Sequence, residues 1–115
     1  MKGLSDVGAV YLHRECVDFR KAMNGLVVIV EQSMALSPYS DAVFVFCNRA
    51  RDKLKIVYWD RTGFALWYKR LEKNKFQWPR ELSDPVIELS PTQLDFLLRG
   101  FSVVEHQPLH YQSLS

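Results

Sequence analysis

Apolar positions recur with two different periods along this chain, and the changes of period mark out its elements. Residues 7–13 alternate, with Val10 and Leu12 on one face and Ala9 and Tyr11 on the other, which predicts a short strand. From Phe19 to about Met34 the spacing becomes helical, carried by Phe19, Met23, Leu26, Val27 and Val30. Asp18 stands where a helix N-cap would accept a first-turn N–H and face the positive helix end. Gly25 inside this helix costs about 1 kcal/mol in propensity, so a close packing contact is expected there. The Ser37-Pro38-Tyr39-Ser40-Asp41 segment is rich in turn formers and closes the helical stretch.

Two apolar runs follow, Val43 to Cys47 and Leu54 to Trp59, joined by polar residues 48–52; together they read as a β-hairpin. Alternation places Leu54, Ile56 and Tyr58 toward the core and leaves Lys53, Lys55, Val57 and Trp59 on an outward, basic face. Asp60-Arg61-Thr62-Gly63 is the next turn. Phe64, Trp67, Tyr68 and Leu71 then recur at helical spacing and predict a short helix, although 64–68 also fits a strand. Phe76 and Trp78 form a brief extended segment ended by Pro79. Ser90-Pro91 is a strong helix start, Leu94, Leu97 and Leu98 its buried stripe, and Gly100 its C-terminal stop. The expected fold is a single α+β domain over residues 1–101. A small antiparallel sheet of residues 7–13, 42–48 and 53–59 is packed by the 19–34 and 91–99 helices, with a third, short helix at 64–71. Residues 102–115 are expected to be a loosely ordered polar tail.

Composition and charge refine the picture. A chain of 115 residues suits one hydrophobic core, and seven Phe, five Tyr and three Trp give it large apolar side chains to bury or to offer a partner. No run of eighteen apolar residues exists, and the first residues are too few and too polar for a signal peptide. Cys16 and Cys47 are too few for a disulfide framework and read as buried thiols in a reducing compartment, so a cytoplasmic protein is expected. Charge is the most informative property. Residues 1–48 carry four basic and five acidic side chains, residues 49–80 ten and three, and residues 81–115 one and five. A basic middle between mildly acidic ends points to a polyanionic partner.

The search for catalytic chemistry finds little. His13 and Cys16 make one His-x2-Cys pair without a second pair to complete a zinc site, and a surface His13 beside a buried Cys16 is the simpler reading. No phosphate loop, dinucleotide fingerprint or nucleophile elbow occurs, and no cofactor is expected. Asp18, Asp52, Asp60, Glu72 and Glu88 would need to converge to form a metal-dependent nuclease, but turns and charge pairing account for them. The basic middle is the better lead. Arg49, Arg51, Lys53 and Lys55 on the hairpin, Arg61 beyond it, and Lys69, Arg70, Lys73 and Lys75 are candidate phosphate contacts. Trp59, Trp67 and Trp78 among them are candidates for a protein partner, and the interleaved aromatics would also allow base stacking.

An ordered series of short motifs gives the chain a family resemblance over residues 7–101. It runs from Asp18-Phe19-Arg20-Lys21 and Gly25-Leu26 through Arg49, Asp52-Lys53-Leu54-Lys55, Trp59-Asp60 and Gly63. It continues with Lys69-Arg70-Leu71-Glu72, Phe76, Trp78-Pro79, Leu89-Ser90, Gln93-Leu94, Leu97-Leu98 and Gly100. This series resembles the accessory protein encoded by the second open reading frame of insertion-sequence-sixty-six transposons. It is called TnpB in that family and is distinct from the RNA-guided nuclease of the same name. Asn74 departs from the glycine expected in its turn, and Asn tolerates the left-handed conformation there. The resemblance implies a non-enzymatic role in DNA transposition beside the larger transposase of the same element, with DNA as the further partner. It transfers no catalytic residue. It marks Arg20, Arg49, Lys53, Lys55, Lys69 and Arg70 as candidate contacts; the alternative is an adaptor that touches the transposase alone.

Overall fold

The computed structural model describes residues 7–103. Its strands are Ala9–His13 (β1), Ala42–Cys47 (β2), Lys53–Asp60 (β3), Gly63–Arg70 (β4) and Val86–Leu89 (β5). The helices are Met23–Gln32 (α1) and Pro91–Leu98 (α2). The strands form one sheet in the order β4-β3-β2-β1-β5. The α+β class expected from the sequence holds, with two main helices packed on the sheet. The sheet itself is mixed: α1 is a crossover that returns the chain parallel, so β1 pairs with β2 in parallel while every other pair is antiparallel.

Three local expectations are corrected. The aromatic stretch after Gly63 is a strand and not a short helix. A two-residue turn at Arg61 and Thr62 delivers it directly alongside β3, in register from Lys53–Arg70 to Asp60–Gly63. Phe, Trp and Tyr suit a pleated surface, so that pairing overrides the helical spacing. The first helix begins at Met23 instead of Phe19, with Ala22 as a cap that makes no side-chain bond. The Asp18 carboxylate is used locally, accepting from the Arg20 backbone N–H at 2.9 Å and from its guanidinium. Residues 86–89 form an additional edge strand, antiparallel to β1. By contrast α2 follows its sequence signals. Ser90 Oγ accepts from Gln93 N–H, the Gln93 side chain accepts from Ser90 N–H, Pro91 opens the helix, and Gly100 follows it at φ +93°.

The core has two layers because β2 is buried on both faces. Val43, Val45 and Cys47 point to the side covered by α2 and by the 71–82 arm, where Phe76, Trp78, Leu94 and Leu97 lie. Phe44 and Phe46 point to the side covered by Leu26, Val30 and Met34. Trp78 is 6% exposed, and its indole N–H donates to the Arg14 carbonyl at 2.8 Å. Burial of each such aromatic contributes about 1.5–3 kcal/mol. Val103 is fully buried in the first layer. The expectation of a loose tail falls, for residues 104–115, outside the described residues. No helix among the described residues is long and apolar enough to cross a membrane.

Two glycines behave differently. At Gly8 an added Cβ would sit 2.5 Å from the Asp41 carbonyl oxygen, the same atom that accepts the Gly8 N–H. At Gly25 an added Cβ would meet the Lys21 side chain, with Cβ at 3.2 Å and Cγ at 3.4 Å, the close contact expected there and one that Lys21 must yield to by a few tenths of an ångström. We therefore expect Gly8→Ala to lower the melting temperature clearly, and Gly25→Ala to change it less, because a helix-propensity gain of up to about 1 kcal/mol opposes the contact with Lys21. Thermal denaturation of both variants checks the pair.

Candidate nucleic-acid interface

The sequence folds its charge toward one end of the sheet. Residues 48–52 turn β2 into β3, and Asn48 staples the turn. Its side-chain carbonyl accepts Lys53 N–H at 3.0 Å, and its amide donates to Asp52 at 2.7 Å. From the other side the Arg51 carbonyl accepts Phe76 N–H at 2.7 Å, and the Asp52 carbonyl accepts Leu71 N–H at 2.8 Å. Arg51 takes φ +61° within this turn. Pinned on both sides, the turn is a firm platform for the exposed Arg49.

The segment leading into α1 forms the facing wall. Val17 N–H bonds the Cys47 carbonyl at 2.9 Å, anchoring the wall to the end of β2. Lys55 reaches across from the sheet: its Nζ donates to the carbonyls of Phe19 at 3.2 Å and Lys21 at 3.1 Å and sits 4.7 Å from the centre of the Phe19 ring. Between wall and turn lies an open groove of about 890 Å³, lined by Arg20, Arg49, Lys53 and Lys55, with Asp18, Tyr68 and the backbone of 16–20. Lys53 is paired with Asp52 outside the lining, and the four cations share one carboxylate within it. That carboxylate belongs to Asp18, and the hydrogen bond from the exposed Arg20 guanidinium holds its pKa down at about 2. A depressed carboxylate keeps its pairing above the ordinary range and loses it only as pH falls toward that value, so the Arg20 clasp persists at neutral pH.

A second depression, of about 320 Å³, adjoins the groove and shares Cys16, Asn48 and Arg49 with it. Its remaining cations are Arg14, Arg51 and Arg80. Arg14 and Arg80 lie 66 positions apart in the chain and had no signal as a pair; the Trp78–Arg14 hydrogen bond brings their segments together. Arg14 is partly committed, through Nε to the Asp84 carbonyl and through an ion pair to Glu15.

Within the groove Lys53 is itself ion-paired, and the sequence candidates outside the groove are dispersed. Lys53 pairs with Asp52 at 3.4 Å, and Arg70, its cross-strand neighbour, pairs with Glu72 at 3.1 Å. Lys69 is on the opposite face, where its Nζ caps α2 by donating to the Leu98 carbonyl at 2.8 Å. Lys73 and Lys75 line a separate hollow with Arg99. Arg61 occupies the far turn of the β3–β4 hairpin, roughly 26 Å from Lys53 at about 3.3 Å per residue. Of the three tryptophans, Trp78 belongs to the core and Trp67 packs against its edge. Trp59 meets Tyr39 and Phe64 edge to face in a cluster with ring centres 5.0–5.3 Å apart, at the end of the sheet remote from the groove.

Cys16 and His13 differ from expectation, whereas Cys47 is buried as expected. His13 is buried, with Nδ1 2.8 Å from the Glu15 carbonyl and Nε2 3.4 Å from Ser33 Oγ, whereas Cys16 is exposed. Cys47 is buried, and burial pushes its thiol pKa up to about 12. Among the described residues no group of three His, Cys, Asp or Glu is placed to hold a metal ion. Asp18, Asp52 and Glu72 each serve a neighbouring cation instead.

Fold and groove together define a small α+β sheet domain with a basic cleft beside the β2–β3 turn. Residues 8–108 match the family model described as IS66 Orf2 like protein, and the chain belongs to that family. Two curated relatives from Sinorhizobium fredii (strain NBRC 101917 / NGR234) are similar. "Uncharacterized protein y4jC" is 39% identical over 84 residues, covering 73% of this chain and 71% of the relative. "Uncharacterized protein y4hO" is 35% identical over 83 residues, covering 72% and 71%. No solved structure matches the chain. Family membership gives the protein an accessory, non-catalytic association with transposition.

The two thiols provide a direct check on this end of the fold. A thiol-reactive dye should label one cysteine, Cys16, in the native protein and both cysteines only in denaturant. Labelling of Cys47 under native conditions would contradict the burial of β2.

Proposed function

We infer that the protein attaches to transposon DNA, alone or within a transposase–DNA assembly, through the groove between the 48–52 turn and the 16–20 wall. The observation that carries this reading is the meeting of Arg20, Arg49, Lys53 and Lys55 around one cleft with a single carboxylate among them. Cations on a firm backbone suit phosphate, because little ordering is left to be done on binding. Arg49 is the best placed of them, exposed and without an ion-pair partner among the described residues. Lys55 is bound to two carbonyls and serves the site chiefly by fixing its wall. Phosphate contacts of this kind give affinity and leave sequence choice to the transposase. The protein would then act as a clamp that supports strand chemistry carried out elsewhere.

A second reading, contact with the transposase polypeptide, is favoured by the Tyr39–Trp59–Phe64 cluster, where Tyr39 is 58% exposed. The two surfaces lie at opposite ends of β3 and are compatible with one another.

The test is binding of the full chain to transposon-end duplex and to scrambled duplex across a salt series, with Arg49→Glu/Lys53→Glu as the variant. Phosphate contacts from Arg20, Arg49 and Lys53 predict a log–log salt slope of about −3, equal affinity for the two duplexes, and at least about tenfold weaker binding by the variant. Absence of binding near physiological salt would overturn this reading and leave the transposase contact as the better account.

A further inference from the structure

Resting on the groove as a nucleic-acid surface, we propose that its preferred occupant is unpaired DNA, with a base stacked on Tyr68. Among the described residues four large apolar side chains are exposed, and Tyr68, at 47%, is the one that lines the groove. It stands on β4 directly opposite Lys55 and so projects from the same face of the sheet, with Lys53 on that face two residues further along β3. An aromatic ring left in water among cations loses the burial that other rings in this small domain obtain. A base on its face restores that burial while the flanking phosphates meet Lys53 and Arg49.

A duplex makes poor use of this arrangement. Its bases are already stacked inside, so it offers the groove phosphate and sugar alone, and the ring contributes nothing. Lys55, the cross-strand partner of Tyr68, also suits a strand that can enter the cleft. Lys55 lines the groove with its Nζ held by the carbonyls of Phe19 and Lys21. The path continues beyond the ring. Arg49 lines both the groove and the adjoining depression with Arg51 and Arg80, so a flexible strand leaving Tyr68 crosses Arg49 into a second set of guanidinium groups. Guanidinium forks match phosphate oxygens in pairs.

The experiment measures fluorescence anisotropy of the full chain with a labelled oligo-thymidylate and with a duplex of equal length, at one salt concentration and then across a salt series. Tyr68→Thr removes the ring while keeping a strand-favouring residue at an exposed edge position, and Tyr68→Phe keeps the π-face. Circular dichroism confirms that both variants fold. The proposal expects tighter binding to the single strand than to the duplex. Tyr68→Thr should lose about tenfold on the single strand with an unchanged salt slope, the size of one base–aromatic stack, and should leave duplex binding unaltered. Tyr68→Phe should stay close to the parent. Equal or tighter duplex binding, or an equal loss on both ligands in Tyr68→Thr, overturns the assignment of unpaired DNA while leaving the basic groove as a DNA surface. Failure to bind either ligand overturns the groove reading itself, and this proposal with it.

Discussion

The structure depends on one constraint: every residue of β2 is buried, so the central strand must be covered on both faces and paired on both edges. Pairing is met by β1 in parallel on one side and β3 antiparallel on the other. Cover is met by α1 on one face and by α2 with the 71–82 arm on the other. A strand buried on both sides cannot tolerate a slip in register, because a shift of one residue would exchange the contents of the two cores. The turn that follows β2 is accordingly stapled by Asn48 and held from the arm side as well.

The basic groove follows from unequal lengths. Helix α1 has ten residues and spans roughly 15 Å, while β3 has eight and spans roughly 26 Å. The helix cannot roof that face from end to end. At one end the gap is closed by the Tyr39, Trp59 and Phe64 rings. At the other it is left open, floored by Lys53, Lys55 and Tyr68 and walled by the lead-in to α1. Lys55 joins these levels: it occupies a sheet position, ties down the wall through two carbonyls, and adds its charge to the cleft.

Much of the fold was legible because the signals were local. The Ser90-Pro91 start, the Gln93 partner and Gly100 specify α2 within eleven residues, and the β2–β3 hairpin is written in alternation around a polar turn. The misread elements are those whose identity comes from a distant neighbour. The β4 aromatics fit either period until β3 selects the strand. The four residues of β5 are too short to show alternation without β1 beside them. Nothing in residues 9–13 and 42–47 announces that they run parallel. The same division applies to the site. The motif positions Arg20, Arg49, Lys53 and Lys55 meet in space, whereas Lys69, Arg70, Lys73 and Lys75, close to them in sequence, are taken up by a helix cap, an ion pair and a separate hollow. Arg14 and Arg80 join the basic end through tertiary contact alone. Linear charge density identified the middle of the chain as basic, but it could not say which cations share a face.

The central claim is that one end of the sheet, beside the β2–β3 turn, is the DNA-contacting surface. The most direct test is residue-resolved NMR of the full chain titrated with a short oligonucleotide, following backbone amides and arginine side-chain N–H groups. The account predicts perturbations confined to the 16–20 wall, Arg49, Lys53, Tyr68 and the neighbouring Arg51 and Arg80, with Arg61, Lys73 and Lys75 unmoved. Perturbations centred on Arg61 or on the Lys73–Lys75 loop, with the groove silent, would contradict it.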